Sequence, residues 1–218
     1  MMQASDFQAA MLVHLGDAAG ERFCEALLEE ALRQALGEYS RASPRLMSGT
    51  LTLTGAGQIQ QLAALSGVQE VVELVFPYDL AATVYRPYTQ PWHFFWRDDQ
   101  PMLWLGGRPA PQAGQVLHVL YTAAHTIAGL DGAETTTLPP EHQVSISSGA
   151  AALAANGRAL RLVEAHGSRT DEAGKWLACA APLMQRFHAF LDGLRHTGRV
   201  RPPVWQQNAG WRLDGWDA

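Results

Sequence analysis

The chain has 218 residues, of which 47% are apolar and 17% are charged, so it can form one sizeable domain or two small ones with a real core. Its formal net charge of −5 excludes the globally basic surface that is typical of nucleic-acid-binding proteins. Because the charged content is below the usual quarter, we expect other subunits to cover part of the surface, or the surface to be rich in Gly, Ser, Thr and Gln.

The two cysteines do not predict a metal site. Cys24 and Cys179 lie far apart, and neither has a second Cys or a His at the spacing of zinc ligands, so we expect small buried side chains in a reducing compartment. The first residues lack the basic segment and the apolar run of a secretory signal, and no run approaches the roughly 18 apolar residues of a membrane span. The sequence therefore predicts no membrane partner.

Two amphipathic helices are predicted at the N-terminal end. The first has the Ser-x-x-Gln form of a capping box at Ser5–Gln8, with Phe7 and Met11 at helical spacing. The second spans residues 21–40 and carries a continuous apolar stripe. It stops before Pro44, because the residue that precedes a proline disfavours the helical conformation.

The pattern then changes to that of β-strands. Residues 49–54 alternate strictly between apolar and polar, and residues 68–76 are rich in β-branched side chains. Two short aromatic and apolar runs follow, separated by a turn, and the last strand is residues 115–122. Residues 59–65 favour a helical turn. Together these patterns predict an antiparallel β unit of about four strands between residues 49 and 122.

Two long helices are predicted next. Pro139-Pro140-Glu141 begins the first, which runs to about residue 166, since proline fits the first helical turn and glutamate favours the positive helix end. The middle of this helix, residues 145–155, is almost entirely Ser, Gly and Ala, and such small side chains let two helices approach closely. The second helix begins at Thr170 and carries a heptad-like apolar seam, in which Pro182 predicts a kink or a break.

The last residues of the chain have no helical or strand period. They contain three tryptophans and a short basic run: Trp205, Trp211, Trp216, Arg199 and Arg201. A free tail would expose a large apolar surface at each tryptophan, so we expect the tail to dock on its own domain or on a neighbouring subunit. The basic run is typical of an ordinary helix C-terminus, but it could also face a negative partner or DNA in a channel.

These elements predict an α+β fold, in which a bundle of about four helices carries an inserted antiparallel β unit and an extended C-terminal tail. The predicted parts are N-terminal core helices at 1–48, the β insert at 49–122, a loop with two core helices at 123–196, and the tail at 197–218.

The sequence contains no catalytic motif. His118, His125 and Asp131 could form a metal site, but the favoured interpretation is a strand histidine and a loop histidine that each hydrogen-bond the backbone. Ser147-Ser148-Gly149 is not the Gly-x-Ser-x-Gly nucleophile elbow, and no Gly-Lys-Ser/Thr phosphate loop occurs. We therefore expect no enzyme, and neither a metal nor another cofactor.

An aromatic cluster lies between residues 85 and 96, and its predicted patch consists of Trp92, Phe95 and Trp96. Aromatic side chains can stack on bases or sugars. Because only Arg86 and Arg97 accompany the cluster, the basic residues needed for nucleic acid are few. A packed β core or an interface is the favoured interpretation.

Five segments share the pattern of one viral family. They are the helix end ALGEYSRASPR at 35–45, the strand at 68–79, the strand and Thr-rich loop at 115–138, the alanine-rich helix after Pro139-Pro140, and the amphipathic helix at 175–194. Together they resemble the head–tail connector proteins (adaptor, or head-completion, proteins) of tailed bacteriophages and prophages. The resemblance covers roughly residues 20–195 and rests on packing and turn motifs.

The resemblance implies a non-catalytic virion protein of the particle neck. Such a protein forms a homo-oligomeric ring, about twelve copies by family analogy, between the portal protein and a tail or tail-completion protein. It assembles in the cytoplasm of the bacterial host, and viral DNA passes through the ring without specific contacts. We expect the interfaces with other subunits and with the portal at the small-residue helix and the tail, namely at Ser148, Gly149, Ala152, Trp205, Trp211, Trp216, Arg199 and Arg201.

Two alternatives are left open by the sequence. The first is a tail-completion or tail-terminator ring from the same region of the particle, which would bind the tail tube in place of the portal. The second belongs to another class: a small hydrolase or carbohydrate-binding module that uses the aromatic cluster at Trp92–Trp96.

Overall fold

A computed structural model of the chain describes residues 2–78, 88–166 and 170–197. The described residues form two units. The helical unit contains residues 2–44 and 124–197, and the β unit contains residues 45–78 and 88–123. The β unit lies between the second and third helices in sequence, and the α+β fold class predicted from the sequence is confirmed.

The helical unit contains four α-helices: α1 (Ala4–His14), α2 (Glu25–Ala42), α3 (Gln143–His166) and α4 (Thr170–Thr197), with a short 3-10 turn at Pro140–His142 before α3. Helix α3 packs against each of the other three helices. Its middle is buried on nearly all sides, which explains why it lacks the polar face of a surface helix.

Helices α1 and α2 bury the apolar stripes that their sequences predict. Phe7 and Met11 of α1 are fully buried, as is Leu32 of α2. The cap of α1 differs from the prediction: the helix begins at Ala4, so Ser5 already lies inside it, and the carboxylate of Asp6 accepts the backbone N–H of Gln3 at 2.7 Å. The helix therefore has a capping box, as predicted, but the box begins at Gln3, two residues before the predicted Ser5.

Helix α4 is continuous from Thr170 to Thr197, so the break considered at Pro182 does not occur. A proline inside a helix removes one backbone donor and costs about 3 kcal/mol or more in isolation. Here the long contact of α4 with α3, which buries Phe187 and Leu191, offsets that cost.

The β unit contains six strands: β1 (Arg45–Thr52), β2 (Ile59–Gln61), β3 (Val68–Val75), β4 (Trp92–Arg97), β5 (Gln100–Leu105) and β6 (Val116–Ala123). They form two three-stranded antiparallel sheets, in the orders β1-β6-β3 and β2-β5-β4. Alternate residues of the central strand β6, such as Leu117 and Val119, are fully buried in the core of this unit.

Two predictions in this region were wrong. Residues 59–61 form strand β2 and not a helical turn, because they pair with β5 between residues 102 and 104, a contact distant in sequence. Strand β1 begins at Arg45, four residues before the predicted start, since its pairing with β6 extends to Ala123. Within the described ranges no helix has the length and apolar character needed to cross a lipid bilayer.

Candidate functional site

The small-residue segment of α3 packs against the chain's own helices. Ser148, Gly149 and Ala152 are buried within the helical unit. A Cβ atom on Gly149 would lie 2.4 Å from Cγ of Phe187, so the aromatic ring of α4 sits directly on the glycine. The close approach predicted for these residues therefore occurs inside one subunit, where their side chains are buried. Their contact with another subunit stays a prediction.

The predicted aromatic patch is divided between two faces of β4. Side chains of a strand alternate, so Trp92 and Trp96 lie on one face and Phe95 lies on the other. Trp92 packs partly against the core of the β unit, whereas the side chain of Trp96 is 55% exposed. Phe95 stacks on His93 with ring centroids 6.1 Å apart. The three residues therefore do not form one continuous platform, and Trp96 is the exposed member.

The tail residues assigned to an interface lie outside the described part of the chain. They are Arg199, Arg201, Trp205, Trp211 and Trp216. Their roles remain predictions.

His125 ties the end of α2 to the loop after β6, a set of contacts that we call the His125 junction. Its backbone N–H donates to the hydroxyl of Ser40 at 3.0 Å, and its Nε2 lies 3.0 Å from the carbonyl oxygen of Ser43. Its Nδ1 lies 3.2 Å from the hydroxyl of Thr137. Nδ1 also lies 3.2 Å from the carbonyl oxygen of Thr137, so the ring bridges the backbone of Ser43 and that of Thr137. The ring also meets that of Tyr39 edge to face at 5.0 Å.

The metal site considered at His118, His125 and Asp131 is not formed. His118 stacks on Tyr78 with ring centroids 4.9 Å apart, and the carboxylate of Asp131 accepts hydrogen bonds from Nε and Nη2 of Arg33. Among the residues that the structure describes, no three His, Cys, Asp or Glu side chains lie together as metal ligands would. The backbone contact expected for His125 is confirmed by its contact with Ser43.

A cleft of about 430 Å³ lies at the start of α2, and no sequence pattern indicated it. We call it the arginine cleft; it is lined by Gly20, Glu21, Arg22, Phe23, Cys24, Leu27, Arg158, Arg161 and Leu162. Three arginines and one glutamate therefore face it in a chain whose net charge is −5. Sequence patterns missed it because the two walls are more than a hundred residues apart.

The side chain of Arg158 is held in place on one wall of the arginine cleft. Its guanidinium lies 5.5 Å from the ring centroid of Phe23 and 5.7 Å from that of Trp176, which is the geometry of two cation–π contacts. It also donates to the carbonyl oxygen of Arg22, and its Nη2 lies 3.6 Å from a carboxylate oxygen of Glu172. The charge is thus fixed at the cleft by packing and by hydrogen bonding.

The opposite wall is the first turn of α2. Cys24 is its N-terminal cap residue, and the thiol is exposed and not buried as predicted, because it precedes the first buried helical position. The backbone N–H of Leu27 and, after it, the guanidinium of Arg161 lower the pKa of the Cys24 thiol. Nη1 of Arg161 lies 3.9 Å from the sulfur atom. The cleft therefore favours negative charge at its mouth.

Comparisons with known proteins found similarity to solved structures alone. No family model matches the chain, and no curated protein matches it with significance. Among the solved structures, a chain of a particle described as "Neck of empty GTA particle computed with C6 symmetry" has 21% sequence identity to this chain, covering 66% of this chain and 74% of that chain, with a TM-score of 0.31. A TM-score this low does not establish a shared fold.

Proposed function

We propose that this chain is a structural subunit of a ring in the neck of a tailed phage or phage-like particle, where it joins the capsid portal to the tail. In this proposal the protein has no catalytic role, it assembles in the host cytoplasm, and DNA passes through its ring during packaging. The solved structure that this chain weakly resembles is also part of a particle neck, but the proposal does not depend on that likeness.

The observation that carries the proposal is the His125 junction. The segments that resemble the connector family are far apart in sequence, and two of them, the helix end at 35–45 and the strand and loop at 115–138, meet here. Ser40 and Ser43 of the first segment bind His125 of the second across more than 80 residues. Because the two segments that resemble the family also bond one another, we infer that they share a local structure with that family. A chance similarity of composition would not bring them into contact.

The helical unit also exposes apolar side chains that a ring would cover. Leu160 and Val163 lie one turn apart on α3 and are 63% and 51% exposed, and Leu177 of α4 is 50% exposed. A ring subunit buries two different surfaces against its neighbours, and the centres of such contacts are apolar. We propose that a second copy of this chain covers Leu160 and Val163.

Replacing both Leu160 and Val163 with glutamate is expected to abolish the ring while leaving the fold intact. The change buries two charges in the proposed interface without a partner, whereas both side chains are exposed in the isolated subunit. Mass photometry in the presence of the portal distinguishes the outcomes, since a ring adds to the mass of the portal about 286 kDa for twelve copies of the 23.8 kDa chain, or about 143 kDa for six.

The matched control is Gln185→Glu, which adds charge at an exposed position of α4 and removes no apolar surface. It should assemble as the unchanged protein does. A double variant that still forms rings overturns the assignment of this surface, and an unchanged protein that stays monomeric in the presence of portal overturns the proposed function.

Replacing Trp205, Trp211 and Trp216 together with alanine is expected to abolish binding to the portal and to leave the ring intact. Aromatic side chains commonly supply most of the binding energy of an interface, so losing three should reduce affinity by at least about a hundredfold. A pull-down with portal and a parallel one with tail tube measure this.

The control changes Gln206, Gln207 and Asn208 of the same tail to alanine. Binding of the unchanged protein to tail tube alone contradicts the adaptor role and identifies a tail-terminator ring.

A further inference from the structure

We propose that the arginine cleft binds a small oxyanion, a phosphate or a carboxylate group, between Arg161 and the first turn of α2. This proposal does not rest on the proposed ring function, because the residues that line the cleft are different from Leu160 and Val163 and from those of the His125 junction.

Of the two arginines that α3 contributes to the cleft, one is fixed by its contacts and the other is available to a ligand. Arg158 is engaged by the carbonyl oxygen of Arg22 and by Glu172, so its guanidinium is held in place on this wall. Arg161 lies one turn further along α3, is exposed, and forms no ion pair with a carboxylate among the described residues. A guanidinium presents parallel N–H groups that match the two oxygens of a carboxylate or phosphate.

The first turn of α2 supplies further donors. No side chain caps this helix, and the N–H groups of Glu25 and Ala26 have no acceptor in the described part of the chain. The uncapped N–H groups and the helix dipole both favour an anion at this end. The first turn therefore adds N–H donors to the guanidinium groups of Arg22 and Arg161, which also line the cleft.

The wall that carries these groups is held in a fixed shape before any ligand binds. The carboxylate of Asp17 is buried and accepts the backbone N–H groups of Glu21, Arg22 and Phe23 at 3.2, 2.9 and 3.3 Å. This loop supplies the ring against which Arg158 packs. A site that is already ordered loses little conformational entropy on binding.

The size and charge of the cleft favour a small oxyanion over a nucleic-acid backbone. Its floor includes the apolar side chains of Phe23, Leu27 and Leu162, and Glu21 places a negative charge among the arginines. The net charge of −5 opposes a long polyanion across the rest of the chain, whereas one oxyanion needs only the local charge.

Cys24 provides the measurement, because its sulfur lies beside Arg161. The full-length protein is treated with N-ethylmaleimide, an uncharged reagent, in phosphate or in chloride of equal ionic strength, and modification of each cysteine is followed by mass spectrometry. We expect phosphate to slow modification of Cys24 about threefold at a concentration near twice its Kd, since one third of the sites are then free. Cys179, which lies on α4, is the internal control and should not respond.

The variant Arg161→Gln is expected to lose the protection by phosphate, and Arg186→Gln, a change at an exposed arginine of α4, to keep it. Acetate is the second probe: protection by phosphate alone assigns the site to phosphate groups, and protection by both assigns it to oxyanions in general. Isothermal titration with phosphate gives an independent value of Kd. The proposal is overturned if neither anion protects Cys24, if Cys179 is slowed equally, or if Arg161→Gln remains protected.

Discussion

We expect Gly149→Ala to destabilise the helical unit by about 2 kcal/mol, although alanine is the better helix former. The reason is steric. The added Cβ would lie 2.4, 2.5 and 2.7 Å from three ring atoms of Phe187, closer than carbon atoms approach without a shift. Phe187 is fully buried on α4, so its ring has no solvent to move into, and the two helices must separate.

Urea unfolding followed by circular dichroism measures this effect, and Gly37→Ala is the matched control. Gly37 also lies inside a helix, but nothing lies within 4 Å of the position that its Cβ would occupy. That change should stabilise the protein by about 0.5 to 1 kcal/mol, because alanine loses less backbone entropy on folding than glycine. Equal effects of the two substitutions would show that contact with Phe187 does not decide the choice of glycine at position 149.

A double substitution tests the contact itself. Phe187→Leu alone opens a cavity and destabilises the protein, but in the presence of Gly149→Ala the smaller side chain gives room to the new methyl group. We expect the two changes together to cost less than the sum of their separate costs, by about 0.5 to 3 kcal/mol. Strict additivity would contradict the packing described for α3 and α4.

Asp17→Ala is the second large effect, and we expect it to destabilise the helical unit by about 3 kcal/mol. Its carboxylate is buried and accepts three backbone N–H groups, which would otherwise be left without an acceptor. Hydrogen bonds to a charged group contribute about 1.5 to 3 kcal/mol each, and the loop can recover part of the loss by exposing its N–H groups to water. Asp17→Asn keeps one acceptor oxygen and should fall between the two proteins.

The control is Asp131→Asn. The backbone at position 131 has a positive φ of 52°, which aspartate and asparagine both tolerate. The guanidinium of Arg33 lowers the pKa of the Asp131 carboxyl, yet both side chains are largely exposed, so the pair is screened by solvent. We expect no measurable change in urea unfolding. A loss at Asp131 as large as that at Asp17 would show that burial does not separate the two carboxylates.

Much of the fold follows from local pattern. The apolar stripe of α2, the strand at β3, the hairpin of β4 and β5, and the central strand β6 were all predicted within a few residues, because their burial is periodic along the chain. The density of small residues in α3 also indicated a close helix contact. Each of these signals is carried by neighbouring residues of one segment.

What only the tertiary structure decided depends on residues that are distant in sequence. Strand β2 exists because β5 pairs with it, and α4 passes through Pro182 because α3 supports it. Gly149 packs against Phe187 of the same chain. The small-residue pattern could not predict this partner, because a close helix contact within a subunit and one between subunits require the same small side chains. The arginine cleft likewise needs α2 and α3 side by side before Arg158 and Arg161 face Cys24. The sequence by itself thus determined most of the helices and strands, because their signals are local, and packing over long separations determined which surfaces are buried and which residues line the cleft.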